Sequence, residues 1–288
     1  MKIKKAVITA AGYGTRFLPA TKSLSKEMIP LIDKPIIQYI VEELVASGIE
    51  DIIMVIRGSN FNLGNHFDSS AEIEEHLEKN KKYAKLEEIK SISNLANIVY
   101  IRQTNRLPYG NGTPLLFAKD FIDKDEAFAY IYADDLVLSD KPALLQLIEK
   151  YEQVNAPVMA CQSVSRDQVN KYGIISLKEN SHDKVAALIE KPSIDEAPST
   201  LASYGRYILD HSVIDKILKL RTGKDGELWL ADALNSLAQE TDVYCVPVEG
   251  EWLTTGDPLN YMQAMIKYAL KREDLREPLL EFIKNVKE

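Results

Sequence analysis

The stretch Ala6-Val-Ile-Thr-Ala-Ala-Gly-Tyr-Gly-Thr-Arg16 decides the fold. Its small and β-branched residues from Ala6 to Ala11 read as a strand buried on both faces, the kind that fills the middle of a parallel sheet. The strand spills into a turn with Gly12 and Gly14 and ends at Arg16, with Lys22 and Lys26 a little further on. A backbone freed by glycine can point its N–H groups at anionic oxygens. Arg16 and Lys26 add fixed positive charge where a leaving group's charge would accumulate. The combination reads as a seat for a triphosphate.

Two look-alikes fail on spacing. A dinucleotide fingerprint wants a third glycine three residues after the second, and Phe17 stands there. A Walker loop wants Gly-Lys-Ser/Thr after four spacers, and no such string follows either glycine.

Working outward, short β-branched runs at Ala6–Ala11, Asp51–Ile56, Ile98–Arg102 and Phe128–Ala133 alternate with helical patterns, the signature of an α/β, doubly wound sheet. Pro35–Ser47 predicts a helix that opens on proline, carries Ile36, Ile40, Leu44 and Val45 on one apolar face, and stops at Gly48. Ser70–Ile92 is a charged, solvated helical excursion. The second half is richer in strands, expected at Pro157–Val164, Ile174–Leu177, Val185–Glu190, Ser203–Leu209 and Val243–Val248. Amphipathic helices over Pro258–Leu270 and Asp274–Val286 could cap the core or pair with another subunit.

A chain of 288 residues, 45% hydrophobic, can bury one large α/β core. Its formal net charge of −8, with no basic stripe, argues against a nucleic-acid partner and leaves a small phosphorylated ligand compatible. No long apolar run predicts a membrane span, and Met-Lys-Ile-Lys-Lys leads straight into a strand, so a cytoplasmic location is expected. Cys161 and Cys245 sit in apolar strand-like runs and read as reduced core residues. His66, His76, His182 and His211 read as packing or surface residues, since no pair has metal-ligand spacing.

The fourth strand ends in Ala133-Asp134-Asp135, and ligands of open α/β sheets lie beyond the carboxyl ends of the strands. Asp134 is therefore the natural ligand for a hard cation such as Mg²⁺, with Asp135 in support. Gln103 opens a second loop with paired glycines, Gly110 and Gly112, and its amide offers the donor and acceptor that match the imide edge of a pyrimidine. Lys191, in Leu188-Ile-Glu-Lys-Pro192, could hold a second phosphate. Tyr172 and Gly173 start a strand, and Glu227 sits where a helix would begin, placed for sugar hydroxyls or for the helix dipole.

These strings, taken in order, resemble the sugar-phosphate nucleotidylyltransferases, and within them the bacterial UTP:glucose-1-phosphate uridylyltransferases. The likeness runs through Ala10–Lys22, Lys26-Glu-Met-Ile-Pro30, Lys34–Tyr39, Asn65-His-Phe-Asp68, Arg102-Gln103, Glu190-Lys-Pro192, Gly205-Arg-Tyr207, Gly226-Glu227 and Tyr261–Ala264. It implies a single nucleotidylyltransferase domain over 1–288 with a Rossmann-like, mixed but mostly parallel sheet flanked by helices. It also implies Mg²⁺ as cofactor, UTP and a sugar 1-phosphate as substrates, and a homo-oligomer, dimer or tetramer. By position, Ala11, Gly12, Gly14, Gln103 and Gly110 would line the nucleotide, and Arg16 and Lys26 would face its phosphates. Asp134 would hold the metal; Tyr172, Gly173, Glu190 and Glu227 would meet the hexose, and Lys191 its phosphate.

The chain departs from the family pattern in three places. Thr254 replaces a second metal-binding aspartate, Pro258 stands where a lysine is common, and Gly110-Asn-Gly-Thr-Pro114 replaces the usual second glycine loop. The resemblance thus leaves open a different base or hexose, such as dTTP as the nucleotide, or a UDP-sugar-binding regulatory paralogue impaired in catalysis.

Overall fold

The computed structural model describes residues 2–58, 61–223 and 226–286. The first half contains β1 (Lys5–Ala10), β2 (Pro30–Leu31), β3 (Lys34–Pro35), α1 (Ile36–Ala46), β4 (Asp51–Arg57) and α2 (Phe61–Phe67). It continues through α3 (Ala71–Lys79), α4 (Tyr83–Ile92), β5 (Asn97–Gln103), α5 (Thr113–Ala118) and β6 (Phe128–Tyr132). The second half opens with β7 (Asp135–Leu138), α6 (Ala143–Val154), β8 (Val158–Ser163), β9 (Gly173–Leu177), β10 (Val185–Glu190) and β11 (Leu201–Leu209). It closes with α7 (His211–Lys219), α8 (Leu230–Ala238), β12 (Tyr244–Pro247), β13 (Glu251–Thr254), α9 (Pro258–Lys271) and α10 (Glu273–Asn285).

The main sheet runs β10-β9-β11-β6-β1-β4-β5, with β8 pairing β11 and β12 beyond it. β1 is parallel to β4 and β6, and β4 is parallel to β5, while β11 runs antiparallel to β6. The sheet is therefore mixed. Strand alternation sends Ile8, Met54 and Ile131 into the core under α1, and Val7, Ile53 and Tyr130 into the core under α5, α7 and α8. Burying each large aliphatic chain stabilises the fold by roughly 1.5–3 kcal/mol. α1 buries Ile36, Ile37, Ile40, Val41 and Leu44 on one stripe, and Pro35 serves as its cap rather than its first residue.

Three local expectations change. The charged excursion is two helices, α3 and α4, with Lys81 between them in the left-handed region, and only Leu86 of the pair is buried. The fourth strand stops at Tyr132; Ala133 and Asp134 turn, and β7 leaves the sheet to pair antiparallel with β13. α8 begins at Leu230, so Glu227 lies in the preceding segment and not in a first helical turn; the string from Asp225 starts outside the described residues.

Candidate active site

The carboxyl ends of β1, β5 and β6 open onto a cleft of 440 Å³. The expected Ala11, Gly12, Arg16, Lys26, Gln103, Gly110, Asp134, Tyr172, Gly173, Glu190, Lys191 and Glu227 all line it; Gly14 does not. Gly14 instead shapes the loop. Its φ of 63° is the left-handed region, and Thr21 clamps it by donating from Oγ1 to the Gly14 carbonyl at 2.8 Å. The loop then winds through short 3₁₀ turns at Thr15–Phe17, Ala20–Lys22 and Lys26–Met28, which carry Arg16 and Lys26 back over the strand ends.

Lys26 Nζ donates to Asp134 Oδ2 at 2.5 Å. Burial opposes the lysine's charge, but Asp134 and Glu27 outweigh it and hold the ammonium firmly protonated. The same ammonium offsets burial at Asp134 and keeps that carboxyl below its ordinary range. Glu27 is fully buried, 4.0 Å from Lys26 Nζ, and neither of its oxygens finds a hydrogen-bond partner among the described residues; burial pushes it up to about 7 despite the lysine. Arg16 reaches across to the Gly256 carbonyl at 3.2 Å.

Asp135 does not join Asp134. Asp134 lies in the turn after β6 whereas Asp135 is the first residue of β7, and the Asp135 carboxylate accepts from Gly205 N at 2.9 Å and from Trp252 Nε1 at 2.7 Å. Asp135 is thus a structural clamp among β7, β11 and β13. Both line the cleft, Asp134 the more open of the two, and the Asp134 carbonyl accepts from Thr255 N at 2.7 Å.

A cation at Asp134 would find that carboxylate, with Asp135 already engaged by Gly205 and Trp252, and Thr254 of β13, paired with Asp135, also lining the cleft. No cluster of three or more acidic, histidine or cysteine side chains exists among the described residues. That donor set fits Mg²⁺, which commonly takes one or two carboxylates, keeps waters and borrows oxygens from substrate phosphates.

Glu190 is pushed up to about 7 by burial, with Lys191 pulling the other way and Asp232 and Glu227 reinforcing the rise. Gln103 Oε1 is buried and has no hydrogen-bond partner among the described residues, an unsatisfied acceptor beside the cleft. Gly110, at φ 143°, lies where a Cβ would stand 2.2 Å from the Leu228 carbonyl oxygen, so only glycine fits. Asn111 Oδ1 accepts from Leu230 N at 2.8 Å, tying this loop to the start of α8.

Sequence reasoning missed the aromatic lining. Tyr132, Tyr207, Trp229 and Trp252 all face the cleft. Tyr132 could have been found as the last strand residue before the aspartates. Trp229 carries no local signal beyond its rarity, one of two tryptophans in the chain.

A mostly parallel sheet whose glycine loop and paired cations sit over a strand-end carboxylate defines a transferase that handles nucleoside phosphates. The nucleotidyl transferase family model matches residues 5–271, and the chain belongs to that family. It is 44% identical to a UTP–glucose-1-phosphate uridylyltransferase of Staphylococcus saprophyticus, over 99% of each chain. It is 42% identical to one of Bacillus subtilis, covering 99% of this chain and 96% of that one. A UTP-bound UDP-glucose pyrophosphorylase from Acinetobacter baumannii superimposes with a TM-score of 0.90 at 33% identity, covering 99% of this chain and 100% of that one. A UDP-glucose pyrophosphorylase complexed with UDP-glucose gives 0.85 at 34% identity, over 94% of this chain and 100% of that one.

Proposed function

We infer that this chain transfers the uridylyl group of UTP to glucose 1-phosphate, releasing pyrophosphate and forming UDP-glucose. The observation that carries the reading is the convergence of Arg16, Lys26, Asp134, Gln103 and Lys191 on one cleft. Membership of the nucleotidyl transferase family and the likeness to uridylyltransferases over nearly the whole chain support it. We take residues 1–288 as one such domain.

A phosphate oxygen of the sugar attacks the α-phosphorus; that O–P bond forms as the bond to the β-phosphate oxygen breaks. The nucleophile is already an anion, so no general base is required and catalysis is positioning plus charge stabilisation. Gln103 reads the uracil edge. Arg16 and Lys26 stabilise charge on the pyrophosphate side, Lys191 holds the incoming phosphate, and Tyr172, Gly173, Glu190 and Glu227 meet the hexose. When bound at Asp134, Mg²⁺ would neutralise nucleotide oxygens by Lewis acidity.

No helix among the described residues is long and apolar enough to cross a membrane. Cys161 and Cys245 are buried and free, which supports a reducing, cytoplasmic setting. We also propose that α9 and α10 pair with a second copy of the chain. Leu259, Met262 and Phe282 are exposed there, an apolar surface of the sort that subunit contacts cover.

The direct test is pyrophosphate release from UTP, Mg²⁺ and glucose 1-phosphate, with other nucleotides and hexose phosphates alongside. Turnover is expected to vanish in EDTA and to drop by about 100-fold or more in Asp134→Asn and in Lys191→Ala. Near-normal UDP-glucose synthesis by either variant removes that residue from its role.

A further inference from the structure

We propose that Trp229 is a positioning residue for the transfer, its indole face carrying the Lys191 ammonium and aiming it at the phosphate of the sugar substrate. The inference rests on the uridylyl-transfer reading. Lys191 lies just past β10 with φ of 45°, a left-handed conformation that a non-glycine residue holds only where its neighbours impose it. Its N–H donates to the Tyr172 carbonyl at 3.0 Å, which holds this turn against the start of β9. That twist takes the side chain out of the strand alternation and lays Nζ 4.5 Å from the Trp229 ring centroid.

The ring, more than an ion pair, fixes the lysine. The carboxylate oxygen that approaches it, Glu190 Oε1, stands 3.9 Å away, beyond hydrogen-bond length, on a carboxyl that burial biases toward neutrality. An aromatic face attracts an ammonium without cancelling its charge, so Lys191 stays available to a phosphate.

Trp229 is itself held on both sides. Leu228 donates from N to the Tyr109 carbonyl at 2.7 Å, and its carbonyl accepts from Gly112 N at 2.9 Å. Leu230 N donates to Asn111 Oδ1 at 2.8 Å. The strap that seats the second glycine loop therefore also seats the indole, linking the proposed nucleotide and sugar-phosphate halves of the cleft.

The test combines kinetics with a spectroscopic marker. Trp229→Leu should lower kcat/KM for glucose 1-phosphate about tenfold and leave the Kd for UTP within about twofold, while Trp229→Phe, which keeps an aromatic face, should recover most of the loss. Stepwise fluorination of the indole, introduced at this position alone, keeps the shape and drains the ring's quadrupole, so log kcat/KM should fall with each fluorine. In a Lys191→Ala background, Trp229→Leu should add no further loss. In protein labelled with ¹³Cε-lysine, the Lys191 ε-protons should lie upfield in wild type relative to Trp229→Leu through the ring current. Turnover with a flat fluorination series, an additive double variant, or no upfield shift overturns the inference alone. Absence of wild-type turnover with every nucleotide and sugar phosphate overturns the uridylyl-transfer reading, and this inference with it.

Discussion

Gly110 is the residue at which one added methyl group would do the most damage. Its φ is in the left-handed half of the map, and a Cβ would press 2.2 Å from a backbone oxygen and 2.5 Å from a backbone nitrogen of Leu228. Neither can swing aside as a side chain could, so Gly110→Ala should lower stability by roughly 2–4 kcal/mol and weaken UTP binding, read by thermal unfolding and calorimetric titration. A variant with unchanged melting temperature and affinity would mean the strap relaxes. Glu190 makes a second residue-scale prediction. Burial raises its carboxyl from 4.5 to about 7, so the folded chain holds a proton that the unfolded chain releases near pH 4.5. Its stabilising contribution is full below that pH and is lost as pH rises through 7, an effect on the order of 3 kcal/mol. Buried Glu27 acts with the same sign. Melting temperatures from pH 5 to 7.5 should fall less steeply in Glu190→Gln than in wild type.

Between elements, the decisive contact is a buried ion pair. Arg206 on β11 is wholly inaccessible and donates to Glu43 of α1 through Nε at 3.0 Å and Nη2 at 2.7 Å. It also donates to the carbonyls of Gly205 and Asp135, while Glu43 accepts from Leu144 N at the start of α6. One guanidinium thus joins α1, β7 and β11, with α6 bound through the same glutamate. Glu43→Ala would leave that charge buried and unpaired, and urea denaturation should register a loss of about 3–5 kcal/mol. A loss under about 1 kcal/mol would show that water enters and solvates the arginine. The adjacent carboxylates Asp134 and Asp135 illustrate what element boundaries decide. In sequence they are one acidic pair; the turn that follows β6 leaves Asp134 open at the cleft, and the start of β7 commits Asp135 to the clamp with Trp252.

At the scale of the molecule, the exposed apolar face on α9 and α10 is where a second copy would dock. Light scattering on a sizing column should return a dimer or higher oligomer, reduced to a monomer by Met262→Glu combined with Phe282→Glu. A monomeric wild type would end that proposal. The parallel half of the sheet was legible from the chain because strands covered on both faces are near-continuous apolar runs, and β1, β4 and β6 each carry one; the edge strand β5 shows a shorter run, Ile98–Ile101, although it is half exposed. The glycine loop, its cations and the strand-end carboxylate were legible too, since turn chemistry is local. The short pairing of β7 with β13 was not, because no residue in Asp135–Leu138 announces a partner more than a hundred positions away. Nor could spacing reveal that Lys26 meets Asp134, that Arg206 meets Glu43, or that Lys191 rests on Trp229. Propensity and periodicity act over a few residues and so were written in the sequence. Which charges and rings end up in contact depends on the whole path of the backbone, and only the tertiary structure decided that.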